Sequence, residues 1–204
     1  MNHACDSCFH ERMRALVVTL IATSLMPRVS AQAGMLWLDR AMASWNGSPA
    51  IVPAVQAGAE SQDALERRCG SASLTTSPTA EAVRKAGWAP FLHFDRAIAG
   101  DDVEVIGGMT AAAVPGCEPT MFNLFVFVGG TFAGTISPMV MGQGSDGVVG
   151  AVRITGADAL TAEFARYTTK DTACCPSSRV RVTYRIERAG AQPTLVPVGR
   201  RTLR

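Results

Sequence analysis

Residues 172 to 187 read TACCPSSRVRVTYRIE. Val180, Val182, Tyr184 and Ile186 occupy every second position, with Arg179, Arg181 and Arg185 between them. A period of two belongs to an extended chain with one buried face and one wet face, so the stretch predicts a β-strand whose arginines point outward. The two cysteines just before this strand raise a second question, whether they serve as redox centre, metal claw or separate struts.

Other segments carry the same signature. DDVEVIGGMTAA sets Val103 and Val105 against charged neighbours, and TMFNLFVFV is almost continuously apolar, which predicts a central strand covered on both faces. Gly129-Gly130 then supplies a two-residue hairpin turn before TFAGTI. GVVGAVRIT and LTAEFARYTT, joined through Gly156-Ala157-Asp158, predict another hairpin, and TLVPV predicts an edge strand because Pro197 cannot donate to a ladder. One helix is expected at residues 79–87, with Ser77 or Thr79 as cap, Pro78 near its first turn, Glu81 early, Lys85 and Gly87 at its close, and Ala82, Val83 and Ala86 on its buried stripe. Charged residues make up 18% of the chain and aromatics 6%, while glycines number 19 and prolines 11, a balance that suits a turn-rich β-containing globule. The expected class is α+β: an antiparallel sheet of about five to seven strands with a short helix packed on it.

The amino-terminal region reads as a leader. In RMRALVVTLIATSLMPRVSAQA, Arg12 and Arg14 precede an apolar run from Ala15 to Met26, and Ala31-Gln32-Ala33 forms a small-x-small cleavage site. The run ends at Pro27 and Arg28, short of the roughly 20 residues needed to cross a bilayer. The expected organisation is an extension and secretory signal over residues 1–33, an Ala/Gly/Pro-rich lead-in over 34–68 with Trp37 and Trp45 tucked against the body, and one domain over 69–204. Cleavage near Ala33 implies a periplasmic or secreted protein without a membrane span. Upstream, His3, Cys5, Cys8 and His10 have zinc-like spacing but lack the second half of a zinc module, and Met13 is an alternative start.

Export leaves four thiols, Cys69, Cys117, Cys174 and Cys175, an even number that favours two disulfides. Adjacent Cα atoms lie about 3.8 Å apart, whereas ordinary disulfides want roughly 4.4 to 6.8 Å. The expectation is therefore that Cys174 and Cys175, in extended backbone, point to opposite faces, and that each ties to a distant partner, one to Cys69 and one to Cys117. Redox catalysis is disfavoured, since no C-x-x-C remains.

Catalytic vocabulary is sparse. After the leader the chain holds a single histidine, His93 in FLHFDRA, and no serine stands in a G-x-S-x-G elbow. Asp101, Asp102 and Glu104 read as turn and strand-edge solvation, and the glycine turns lack a phosphate-loop lysine. Met109, Met121, Met139 and Met141 would suit soft copper but equally fill core and loop. No catalytic residue, metal ligand or cofactor is assigned. Charge is uneven: residues 34–163 hold 13 acidic and 7 basic side chains, residues 164–204 hold 2 and 9. Arg179, Arg181 and Arg185 are thus the candidate face for an anionic partner.

RCGSASLTTSPTAEAVRKA, VEVIGGMTAAAVPGCEPTMFNLFVFVGGTFAG and DTACCPSSRVRVTYRIE resemble the successive blocks of the LppP/LprE type of bacterial envelope lipoproteins, over about residues 69–198, with Cys-Cys-Pro before an alternating strand as the most specific element. The resemblance implies an envelope-associated protein of unestablished molecular role. Family members carry a lipid-modified cysteine at the end of the signal; Ala31-Gln32-Ala33-Gly34 has none here, which points to an unanchored form. The expected function is non-enzymatic binding of another envelope component, an anionic polymer or a protein, with no nucleic acid involved. The alternatives are a periplasmic hydrolase using His93 with Asp95 or a nearby carboxylate, and a copper- or zinc-handling protein.

Overall fold

The apolar run predicted to be covered on both faces is the spine of the structure, a computed structural model that describes residues 36–47, 51–55, 60–69, 77–91, 102–172 and 174–203. All of these belong to one contact unit, Met35–Arg204. The leader, its cleavage site, the four zinc-spaced residues, and His93 with Asp95 lie outside the described residues.

The run forms β3 (Pro119–Val128), paired antiparallel with β2 (Val103–Ala112) on one side and with β4 (Thr131–Thr135) and β5 (Met141–Gly142) on the other. β1 (Ala89–Phe91) pairs with β2 and completes the first sheet. A second sheet is a four-stranded antiparallel meander of β6 (Val149–Gly156), β7 (Ala159–Arg166), β8 (Ser178–Glu187) and β9 (Thr194–Leu203). The expected single sheet is therefore two. Alternation says which side of a strand is buried but not which element buries it; Val180, Val182, Tyr184 and Ile186 do face inward, against the inner face of the other sheet.

One core fills the space between the sheets, built from Val103, Val105, Leu124 and Val126 on one side and Leu160, Phe164, Val182 and Tyr184 on the other. The opposite side of β3 contributes Phe125 and Phe127 to a second cluster with Ile106, Phe132, Val83 and Trp88. That cluster is covered by helix α2 (Pro78–Lys85), whose Ser77 Oγ accepts from the Ala80 amide as N-cap and whose Ala80 and Val83 are fully buried. From Phe122 to Val128, β3 is thus buried on both faces, which is why that stretch lacks polar alternation.

Within the lead-in, a further helix, α1 (Gln62–Cys69), docks beside β1 and β2 through Leu65. Upstream of it, Trp37 stacks edge-on against Phe164 at 5.1 Å, and Trp45 against Tyr184 at 6.2 Å, as the tucked tryptophans predicted. The Asn46 amide enters space left by Gly134, which has φ 149°, and bridges the sheets by donating to the carbonyls of Thr135 (3.1 Å) and Leu195 (2.9 Å).

The cysteine pairing differs from expectation. Cys69 at the end of α1 is bonded to Cys117 in the β2–β3 loop, with Cα atoms 5.3 Å apart, and Cys174 is paired with Cys175. The premise that fails is extended backbone at the pair. Residues 168–172 and 174–177 are held in a turn closed by the Asp171 carboxylate, which accepts from the Thr168 and Ser177 amides (2.7 and 3.0 Å) and the Ser177 hydroxyl, while the Cys175 amide donates to the Thr172 carbonyl. The strand begins only at Ser178, so the two side chains are not sent to opposite faces.

Candidate functional site

Six large apolar residues are exposed among the described residues, and four of them, Ile51, Met121, Met139 and Val140, line one cleft of about 900 Å³. The cleft lies on the outer face of the first sheet. β3 and β4 supply Met121, Asn123, Phe132 and Thr135, the segment after β4 supplies Ser137, Pro138, Met139 and Val140, and the lead-in supplies Trp45, Ile51, Pro53 and Val55. Trp88 forms part of the wall, its indole N–H spent on the Pro53 carbonyl at 2.7 Å.

Among the described residues no charged side chain lines this cleft. Its polar groups are consumed internally. Trp45 Nε1 donates to the Thr135 carbonyl (3.1 Å), Asn123 Nδ2 donates to the Ser137 and Met139 carbonyls (3.2 and 3.3 Å), and the hydroxyls of Thr135 and Ser137 donate to the carbonyls of Ser137 and Met139 (2.8 Å each). Thr110, at the bulge between Met109 and Ala111 in β2, has no hydrogen bond from its side chain to the described residues. Such a lining favours an apolar occupant with at most one hydrogen bond to the wall, and its two methionines adapt to irregular shapes.

Residues anticipated from the sequence fall elsewhere. Arg179, Arg181 and Arg185 share the outer face of the second sheet; Arg181 is held by Glu163 at 2.5 Å and Arg185 by Glu187 at 2.6 Å, while Arg179 has no carboxylate partner among the described residues. Met109 and Met141 are core residues, whereas Met121 and Met139 line the cleft. Asp102 is bound by the Arg188 guanidinium, which holds its carboxyl below the usual range, and Glu104 accepts from Thr79 Oγ1 at 2.8 Å. Among the described residues no group of three or more His, Cys, Asp or Glu side chains is placed to hold a metal ion, and no helix is long and apolar enough to cross a membrane. The cleft itself was missed: Ile51, Met121 and Met139 are far apart in sequence, and only the fold brings them together.

The segment from within β2 through all of β8, with the Cys174–Cys175 turn inside it, decides the family comparison. Residues 104–189 match the LppP/LprE lipoprotein family. The matched segment is shorter than the resemblance read from the sequence and leaves out both helices, β1 and β9. No curated protein and no solved structure matches the chain. The LppP/LprE match points to an envelope-associated protein and carries no activity with it.

Proposed function

We propose that the protein is a non-enzymatic, exported envelope component that binds another envelope constituent by taking an apolar part of it into the cleft beside Trp45 and Trp88. The reading rests on one observation: four of the six exposed large apolar side chains converge on a single cavity whose polar lining is almost fully spent. A monomer keeps that much apolar surface in one place chiefly where something covers it. Export follows from the leader, with cleavage near Ala33, and agrees with the envelope association of the LppP/LprE match.

The test is a fluorescence titration of the purified protein with N-phenyl-1-naphthylamine, a neutral apolar probe, alongside the Met139→Asp and Ile51→Asp variants. Both positions are exposed, so the variants keep the fold. The reading expects saturable binding, displaced by an organic extract of cell envelopes and weakened at least about tenfold by either aspartate, since burying an unpaired charge against an apolar ligand is costly. Equal binding by all three proteins, or no displacement by the extract, rejects the cleft as the site.

A further inference from the structure

The outer face of the second sheet lies on the opposite side of the sandwich from the cleft. Its register sets the side chains in rows across the strands. Arg153 of β6 pairs with Thr161 of β7, Thr161 with Thr183 of β8, and Thr183 with Gly199 of β9. In an antiparallel ladder opposed residues point to the same side, so these four share the solvent face. The next row along β8 carries Arg181 opposite Arg201, and the row on the other side carries Arg185. Rows two residues apart are separated by about 7 Å. A floor of small residues, Thr161, Thr183 and Gly199, is thereby flanked by long basic side chains. A Cβ built on Gly199 meets no atom within 4 Å, so the floor there is open.

Charge on this face is one-sided. Glu163 and Glu187 occupy Arg181 and Arg185, but Arg153, Arg179 and Arg201 are exposed and have no carboxylate partner among the described residues. The two threonine hydroxyls of the floor likewise make no hydrogen bond to the described residues. Apart from the edge residue Val198, the face presents no exposed large apolar side chain.

We propose that this face docks a linear acidic polysaccharide of the cell envelope, laid across the strands over Thr161, Thr183 and Gly199. Charge complementarity selects the class. Guanidinium groups grip carboxylate or phosphate in bidentate fashion. Arg153 ends the floor's own row on β6 and Arg201 stands one row away on β9, so a chain laid across the strands meets an unpaired cation at each end of the floor, with Arg179 two rows off. The threonines offer hydroxyl partners to sugar hydroxyls between the charges. A bilayer would gain nothing from the trough and would find no apolar wedge to insert, leaving charge alone to hold it. The proposal does not depend on the cleft.

The experiment titrates the purified protein with polygalacturonate, with neutral dextran, and with phosphatidylglycerol vesicles, at about 50 and about 200 mM salt. The expected result is binding to polygalacturonate that weakens with salt, none to dextran, and weaker binding to vesicles. The Arg153→Glu/Arg201→Glu pair, exposed and outside any ion pair, is expected to weaken polygalacturonate binding at least about tenfold. The charge-matched pair Arg67→Glu/Lys85→Glu, on the helices beside the first sheet, is expected to keep most of the affinity. Circular dichroism checks folding, and Arg153→Gln/Arg201→Gln replaces the reversal if it disturbs the sheet. Absence of polygalacturonate binding, an equal loss in the charge-matched pair, or tighter binding to vesicles overturns the proposal.

Discussion

Tyr184 on β8 donates its hydroxyl to the carbonyl oxygen of Ile136, just past β4, at 2.6 Å, a hydrogen bond that crosses the core from one sheet to the other. The side chain has no solvent exposure, and burial pushes its pKa well above the ordinary tyrosine value. Removing the hydroxyl leaves a buried carbonyl without this partner. Tyr184→Phe is expected to cost about 1–3 kcal/mol in urea unfolding. Because the folded-state pKa is raised, the associated stability is complete below the unfolded value of about 10 and is lost as pH rises toward the folded one. The variant is therefore expected to show a flatter alkaline limb than the wild type; an unchanged midpoint would mean that the two sheets are not held at this point.

The two cysteine pairs are expected to differ sharply in their effect on stability. Cys69–Cys117 closes 48 residues, for which the chain-entropy relation gives about 4 kcal/mol. Cys174–Cys175 closes no loop, and both residues are exposed. Cys69→Ala/Cys117→Ala should lower stability by about that amount, whereas Cys174→Ala/Cys175→Ala should stay within about 0.5 kcal/mol. Peptide mapping under non-reducing conditions checks the pairing directly. Recovery of a peptide joining Cys174 or Cys175 to Cys69 or Cys117 would overturn it.

Gly108 permits the close approach of three elements on the outer face of the first sheet. A Cβ there would come within 2.7 Å of the Phe125 ring, 2.8 Å of the Trp88 Cβ and 3.0 Å of Val83 on α2. Trp88 and Val83 are fixed near their backbones, so relaxation is limited. Gly108→Ala is expected to destabilise by about 1–3 kcal/mol and to perturb Trp88 fluorescence, since the indole forms part of the cleft wall. Unchanged stability and emission would mean that α2 can back away from the sheet.

Local chemistry carried much of this fold into the sequence. Ser77 and Pro78 announce α2, Gly129-Gly130 announces the β3–β4 turn, and the alternation at Val180 to Ile186 announces β8. What the pattern omits is partnership. Nothing local distinguishes a strand in one seven-stranded sheet from a strand in one half of a sandwich, because Tyr184 is equally inward in both. Helix α1 escaped notice because Leu65 is its one buried apolar residue, too few to make a period. The arginine face was visible because one strand writes three of its members in sequence; Arg153 and Arg201 join them only through the register. The cysteine pair was misread because one turn, closed by Asp171, overrides the extended geometry assumed for it.

That turn supplies the last prediction. The Asp171 carboxyl is held down at about 2, chiefly by the Ser177 hydroxyl and then by the Thr168 amide. A depressed carboxylate pKa stabilises the folded turn above the unfolded value of about 3.9 and loses that contribution as pH falls through about 2. The turn around Cys174 and Cys175 should therefore stay closed at any pH above about 4. Carbon-detected NMR titration is expected to place the Asp171 inflection near 2 in the wild type and nearer the ordinary value in Ser177→Ala, which removes the largest cause while keeping the Ser177 and Thr168 amides in place. If the inflection does not move in Ser177→Ala, the hydroxyl is not what closes the turn, and another constraint must position the two cysteines side by side.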